Sequence, residues 1–510
     1  MNILDEIVEK HKQDLAERGL GMGYDIPENR TRPVVPFLPG RGVILEVKRA
    51  SPSKGDIAPD LDSAATALSY VEAGAAAISC LTEEHWFKGG LNDLMKVTAA
   101  VGTKAAVLRK DFLVHEDEID VAYKCGADAV LLIARILDDE KIVEMAKRAD
   151  SLGITALVEL KKEDDLRKLA LVAKAVSGKS VVCGVNCRDL KNFSINLLTP
   201  SGILSEIKKI MGEDCRVVFE SGIRTPQAAD FAGSLGFTGM LLGEAAARNP
   251  GEARSLVESF VNAKGTGHSE YWTKIAVELR DRTLSGNEKP LVKICGITNM
   301  EDARLAVDCG ANFLGFIFCG VSKRNVTQSM LSSIKCDILD LKKKTGIRTV
   351  AVITETDSKE GLLALSNVAG NTEDEPLFDA VQVHGYETAL KFLADEKLRH
   401  LPHYCAVPVR EESDLAKLEE LRKLGEPRIL VDAKVDGLLG GTGIQVDEDL
   451  VQIIAKKQRL WLAGGINVEN VRKIMETSGP ELLDISSSLE KEPGIKDSEK
   501  LKNIFLEINK

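Results

Sequence analysis

The chain has 510 residues, 44% hydrophobic and 28% charged, with a formal net charge of −11. That length exceeds what a single core usually supports, so two or more domains are expected. The acidic balance argues against nucleic acid or an anionic membrane as the main partner, because both select a basic footprint, and no run approaches the roughly 18 apolar residues of a bilayer span.

The chain opens on MNILDEIVEKHKQDLAERG, a charged amphipathic helix pattern rather than a signal peptide, which predicts a cytoplasmic protein. After a proline-rich approach, short β-branched runs recur near Val43, Ala76, Ala105, Ala129, Thr155, Val181, Arg216 and Gly239. The intervening stretches, such as DDEKIVEMAKRADSLG, carry apolar residues at helical spacing. Strand and helix alternating at this pitch predict parallel βαβ units, and eight of them close a TIM (β/α)8 barrel over residues 1–261. Residues 262–288 read as a linker with a short helix between Gly/Ser/Pro-rich ends. A second series of eight runs begins at 291, 313, 348, 380, 404, 428, 460 and 481, so residues 289–510 are expected to form a second barrel. The fold class is therefore α/β, two tandem TIM barrels.

In such a barrel the polar residues that form a site collect at the C-terminal ends of the strands. In the first series this places Glu46 and Lys48 after strand one, in VILEVKRASPSKG, with Ser51 and Lys54 in the following loop. Lys110 follows strand three and Glu159 strand five; Asn186 and Arg188 follow strand six, Glu220 and Ser221 strand seven, and Gly243 and Glu244 strand eight. Any one of these could be a structural ion pair, but polar ends on six strands facing one mouth point to a site. Lysines beside carboxylates suit general acid–base work or Schiff-base formation. The glycines in ESGIRTP and LLGEAAAR match the usual phosphate cradle of the last two strands, so a phosphorylated small molecule is expected.

The segments VILEVKRASPSKG, LTEEHWFKGG, VLRKDFLV, ALVEL, GVNCRDL, FESGI and LLGEAAAR, in this order across residues 1–258, resemble indole-3-glycerol-phosphate synthase. The resemblance implies closure of an indole ring with loss of carbon dioxide and water. It implies Lys110 as the general acid on the substrate ketone, Glu159 as the general base, and Lys48, paired with Glu46, as the holder of the substrate carboxylate. Asn186 and Glu220 would shape contacts to the aniline and hydroxyls, Arg188 and Lys54 would add cationic contacts, and Ser51, Ser221, Gly222 and Gly243 would surround phosphate. Cys187 and Asn196 stand where that family more often has Asn or Ser and Asp.

The same test on the second series gives Cys295, Arg324, His384, Asp432, Gly464, Gly465 and the run Asp484 to Ser488. By type alone Cys295 reads as a core thiol, but Gly296 and Thr298 mark a loop at a barrel mouth. KICGIT, SKR, VQVHG, LVDAKVDGLLGGTG, LAGGIN and DISSSLEKEPGIKD resemble phosphoribosylanthranilate isomerase over about 289–510. This implies an Amadori rearrangement with Asp432 as acid and Cys295 as base, Arg324 and His384 near the anthranilate group, Asp484 as a further substrate contact, and Gly441, Gly443, Gly464, Gly465, Ser487 and Ser488 at phosphate. VAVIT and SSSLE depart from the usual VGVF and SSGVE of that family.

Together the resemblances imply a bifunctional enzyme of tryptophan biosynthesis that acts on small phosphorylated substrates as a monomer. The alternatives are another pair of phosphosugar barrels, or an active first barrel joined to a weakened or scaffolding second one. Ten cysteines without CxxC spacing, Cys80, Cys125 and Cys183 among them in apolar contexts, fit reduced thiols. With no ligand cluster or dinucleotide fingerprint in the sequence, no metal or organic cofactor is expected.

Overall fold

A computed structural model describes residues 3–188, 195–369, 375–433 and 448–510. The chain divides into two compact units, Met1–Gly265 and Thr266–Lys510. Among the described residues, no helix is long and apolar enough to cross a membrane.

The first unit begins with helix α1 (Ile3–Arg18), followed by strands β1 (Gly42–Val47), β2 (Ala77–Leu81), β3 (Ala106–Lys110), β4 (Ala129–Ile133), β5 (Thr155–Leu160), β6 (Val181–Asn186), β7 (Val217–Glu220) and β8 (Gly239–Leu242). Neighbours pair in parallel, and β1 closes the circle by pairing with both β8 and β2, with Ile44 level with Leu241 and Ala77. Successive side chains of a strand point to opposite faces. One face of every strand therefore fills the interior, where Ile44, Ala77, Leu108, Leu131, Leu157, Val182, Val218 and Leu241 form a single buried cluster. Phe37 and Leu38, from the segment before β1, close that cluster.

This parity decides what reaches the mouth. Two residues beyond an interior residue, the chain points inward again: Ile44 is followed by Glu46, Leu108 by Lys110, Leu157 by Glu159, and Val218 by Glu220. The residue between faces the helices. Arg109 is thus fully buried outside the barrel, donating to the Glu118 carbonyl, to Asp111 at 3.1 Å and to Thr82 at 3.2 Å.

The second unit starts with helix α2 (Gly267–Leu284), which falls in the stretch expected as a linker. Strands β9 (Leu291–Cys295), β10 (Phe313–Phe318), β11 (Arg348–Ile353), β12 (Ala380–His384), β13 (His403–Val409), β14 (Ile429–Ala433), β15 (Trp461–Ala463) and β16 (Leu482–Ile485) form the second closed parallel barrel. Its outer faces carry the apolar load, from Phe316 and Phe318 to Val431 and Ile485. Its interior is more polar and aromatic, with Lys293, Gln382, Tyr404, Trp461 and Asp484 all buried.

Helix α2 is part of this core. Trp272 is fully buried with its ring 5.5 Å from that of Trp461, which in turn meets Tyr404 edge to face at 5.2 Å. Because Trp461 opens β15, this stack closes the end of the barrel opposite the strand C-termini. Replacing Trp272 with Ala should cost about 3–5 kcal/mol of stability in the second unit. The check is thermal inactivation followed separately for the two active sites: the second barrel's midpoint falls and the first barrel's does not.

Candidate active sites at two barrel mouths

In the first mouth, Glu46, Lys48, Ser51, Lys110, Glu159, Asn186, Arg188, Ser221, Gly222 and Gly243 line one cavity. Glu220 lies at its floor, 1% exposed, with Oε2 3.6 Å from Lys110 Nζ. Lys54 is exposed and not part of the lining. Glu46 is the hub: Lys48 Nζ lies 3.1 Å from Oε1, Lys110 Nζ 3.3 Å from Oε2, and Ser79 donates to Oε2 at 3.3 Å. Burial alone would raise the Glu46 carboxyl, but Lys110 and then Lys48 outweigh it and hold it at about 2. Burial likewise works against the Lys110 ammonium, and Glu46, Glu220 and Glu159 reverse it, leaving its proton more tightly held than on an ordinary lysine. Glu220 goes the other way: burial, followed by the facing Glu159, pushes its carboxyl up.

Asn186 donates to Glu159 at 3.5 Å and accepts from the Arg188 backbone N–H at 3.0 Å. Lys161, absent from the sequence-based set, donates to the Arg188 carbonyl at 2.6 Å and so ties the ends of β5 and β6 together. Gly184 was also missed. A Cβ there would lie 2.0 Å from Glu220 Oε1, so the bare position on β6 makes room for that carboxyl on β7. Ser221 and Gly222, expected at phosphate, take left-handed φ of +75° and +85° at the mouth.

Helix α1 supplies a lid of apolar side chains, since Ile3, Leu4 and Ile7 line the same cavity. It is held by polar contacts: His11 to Glu118 at 2.7 Å, and Asp14 to His85 at 2.6 Å. In the sequence α1 shows only as an amphipathic helix, because what it covers lies elsewhere in the chain.

In the second mouth, Cys295, Arg324, His384, Asp432, Gly464, Gly465, Asp484, Ser487 and Ser488 line one cavity. Gly441 and Gly443 lie outside the described residues. His384 Nε2 is 3.8 Å from Asp432 Oδ2, and burial, with Lys293 nearby, lowers the imidazole to about 4, so it is neutral at physiological pH. Arg324 is held by Glu490 through Nε at 2.8 Å and Nη2 at 2.6 Å. The Cys295 thiol is raised overall: burial and Asp484 push it up, and Lys293 and Lys496 only partly pull it back. Gly464 and Gly465, at φ of +94° and +62°, repeat the left-handed turn of the first mouth. Ser488 Oγ donates to the Ile466 carbonyl at 2.5 Å, so its hydroxyl is turned onto the backbone.

One cluster among the described residues places metal-ligand atoms together: those of His268, His403 and Glu426 lie within 4.8 Å of one another. The two imidazoles are stacked, 4.0 Å apart and 19° from parallel, and His403 turns Nδ1 to the Leu401 carbonyl. Stacked rings send their in-plane lone pairs along near-parallel lines, whereas a tetrahedral ion needs them to converge. The cluster therefore reads as packing between α2 and the start of β13.

Two closed parallel barrels, each collecting charged groups and a left-handed backbone turn at its C-terminal mouth, define a tandem of TIM-barrel units. Residues 38–258 match the family model of indole-3-glycerol phosphate synthase, and residues 292–507 that of N-(5'-phosphoribosyl)anthranilate isomerase. A multifunctional tryptophan biosynthesis protein of Schizosaccharomyces pombe is 32% identical over 482 residues, covering 90% of this chain and 58% of that protein. A tryptophan biosynthesis protein of Phytophthora nicotianae is 31% identical, with 85% of each chain covered. The tryptophan biosynthesis protein TrpCF of Vibrio cholerae is 31% identical, covering 91% of this chain and 86% of that one. The chain thus spans less than two thirds of the Schizosaccharomyces pombe protein and most of the other two. It belongs to the family of tryptophan-biosynthesis proteins in which a synthase barrel is followed by an isomerase barrel.

Glu46 carries a pH prediction. A carboxyl held at about 2 in the folded protein, against 4.5 ordinarily, contributes stability above pH 4.5 that is lost as pH falls toward 2. Glu46→Gln lacks this titration, so its urea midpoint should fall less steeply than the wild type's between pH 5 and 3, while at pH 7 it is the less stable of the two.

Proposed function

We propose that the second barrel converts N-(5-phosphoribosyl)anthranilate to 1-(2-carboxyphenylamino)-1-deoxyribulose 5-phosphate, and that the first closes the indole ring of that product to give indole-3-glycerol phosphate, carbon dioxide and water. The observation that carries this reading is the pairing of sites. A lysine held among three carboxylates forms the first, and a thiol and a carboxyl lining one cavity form the second.

In the first mouth Lys110 donates to the ketone oxygen as the ring closes. Its raised proton affinity keeps the ammonium charged, so that it stabilises the negative charge developing on that oxygen as well as donating to it. Lys48 binds the substrate carboxylate until it leaves as carbon dioxide, with Glu46 fixing both ammonium groups. Glu159 removes the proton that restores aromaticity, and Lys48 assists loss of the hydroxyl as water. Asn186, Glu220 and Arg188 place the aniline and hydroxyl groups, and Ser51 with the Ser221, Gly222 and Gly243 backbone receives phosphate. Apolar Ile3, Leu4 and Ile7 of α1 line the cavity, where they keep water from the reacting ring.

In the second mouth Asp432 protonates the ribose ring oxygen, and Cys295 then takes the C2 proton of the open-chain imine. Neutral His384 and the Glu490-braced Arg324 hold the anthranilate, Asp484 accepts from a ribose hydroxyl, and Gly464, Gly465, Ser487 and Ser488 bind phosphate. The groups named for each mouth come from one chain, which supports action as a monomer.

The experiment follows anthranilate fluorescence and indole-glycerol phosphate together. Lys110→Ala should lower ring closure by at least 10³-fold, on the order expected for loss of an acid that also carries charge, and leave the isomerase rate unchanged. Asp432→Asn should do the reverse. Loss of both activities in either variant would sink the assignment of independent sites.

A further inference from the structure

Lys293 has no place in the reaction as described, and it is the most deeply buried lysine near either site. It sits two residues before Cys295 on β9 and points into the barrel interior with no exposed surface. Its ammonium donates to Asp484 Oδ2 at 2.7 Å and to Gln382 Oε1 at 2.5 Å, and its third contact is Cys295 Sγ at 3.5 Å. Tyr404 donates to the same Gln382 oxygen at 3.0 Å, which fixes the amide with its carbonyl toward the lysine.

We propose that Lys293 is the positioning residue that makes Cys295 a base in the isomerase reaction, by presenting a sealed-in ammonium N–H to the sulfur. The inference rests on the reading of Cys295 as the group that takes the C2 proton. A thiol sulfur is a poor acceptor and a thiolate a good one, so the third N–H of Lys293 is well satisfied only when the sulfur is ionised.

Around Cys295 stand the cations Lys293, Lys496 and Arg324 and the carboxylates Asp484 and Glu490. Lys496 donates to the Cys295 carbonyl at 2.6 Å, beneath the reactive atom. His384, Tyr404 and Tyr271, further titratable groups near Lys293, are kept neutral by burial. Asp432 lines the same cavity, so a simple count of charges does not favour the thiolate; what favours it is that the Lys293 ammonium is within reach of the sulfur. Space is reserved for the pair as well. A Cβ on Gly315 of neighbouring β10 would come within 2.7 Å of Cys295 Sγ and 2.9 Å of Lys293 Cε.

The test uses the full chain. Isomerase kcat/KM is measured from pH 5 to 10 for wild type, Lys293→Met and the double variant Lys293→Met/Asp484→Asn, which removes both buried charges and so folds if the single variant does not. In parallel, alkylation of Cys295 by iodoacetamide is followed over the same range by peptide mass spectrometry. The expected result is that both the acid limb of kcat/KM and the alkylation curve move to higher pH, with rates at pH 7 at least about tenfold lower, the factor for one pH unit. A folded variant whose alkylation curve coincides with that of wild type overturns the proposal. Cys295→Ser separates the underlying reading: full isomerase activity in that variant removes Cys295 as the base, whatever Lys293 does to its alkylation.

Discussion

A closed parallel barrel admits only alternate residues of each strand to its interior, and the last of these on each strand faces both the core below and the solvent above. In the first barrel this layer holds Glu46, Lys110, Glu159, Asn186 and Glu220. Charged groups so close to an apolar interior are costly unless they are paired. The layer is accordingly a connected set in which Glu46 binds two lysines and Lys110 touches two carboxylates. Removing any one member leaves another buried and unbalanced, so the groups proposed for catalysis also hold the mouth together.

The second barrel meets the same constraint differently. Its polar groups extend one layer deeper, to the charged pair Lys293 and Asp484 and the amide of Gln382, beneath Cys295 and His384. The reactive layer then holds an imidazole lowered to about 4 and a thiol on which burial and the neighbouring lysines act in opposite directions. Both barrels clear space for their titratable groups with a bare position on an adjacent strand, Gly184 beside Glu220 and Gly315 beside Cys295.

Each barrel is closed and covered by a segment outside its strand–helix repeat. In the first, Phe37 and Leu38 join the interior cluster while α1 covers the mouth with Ile3, Leu4 and Ile7. In the second, α2 places Trp272 against Trp461. These segments carry no repeat of their own, and their value lies in the surface they bury.

The sequence by itself determined the number and order of strands, two sets of eight, and which residues end each one, because strand length, β-branching and turn residues are local properties. Those ends put Lys110, Glu159, Cys295 and Asp432 at the mouths among many other polar residues, and only the resemblance to known families marked them out as acids and bases. The tertiary structure alone decided who faces whom: Lys293 with Gln382 and Asp484, Lys161 with Arg188, Gly184 with Glu220, and α2 beneath the second barrel instead of a bare connection. The register of closure and the packing of helices bring such partners together across tens to hundreds of residues, and no local pattern encodes that distance. Lys293 is the instructive case. Counting back two from Cys295 places it in the interior, but only the closed barrel shows that its ammonium meets Gln382, Asp484 and the Cys295 sulfur together.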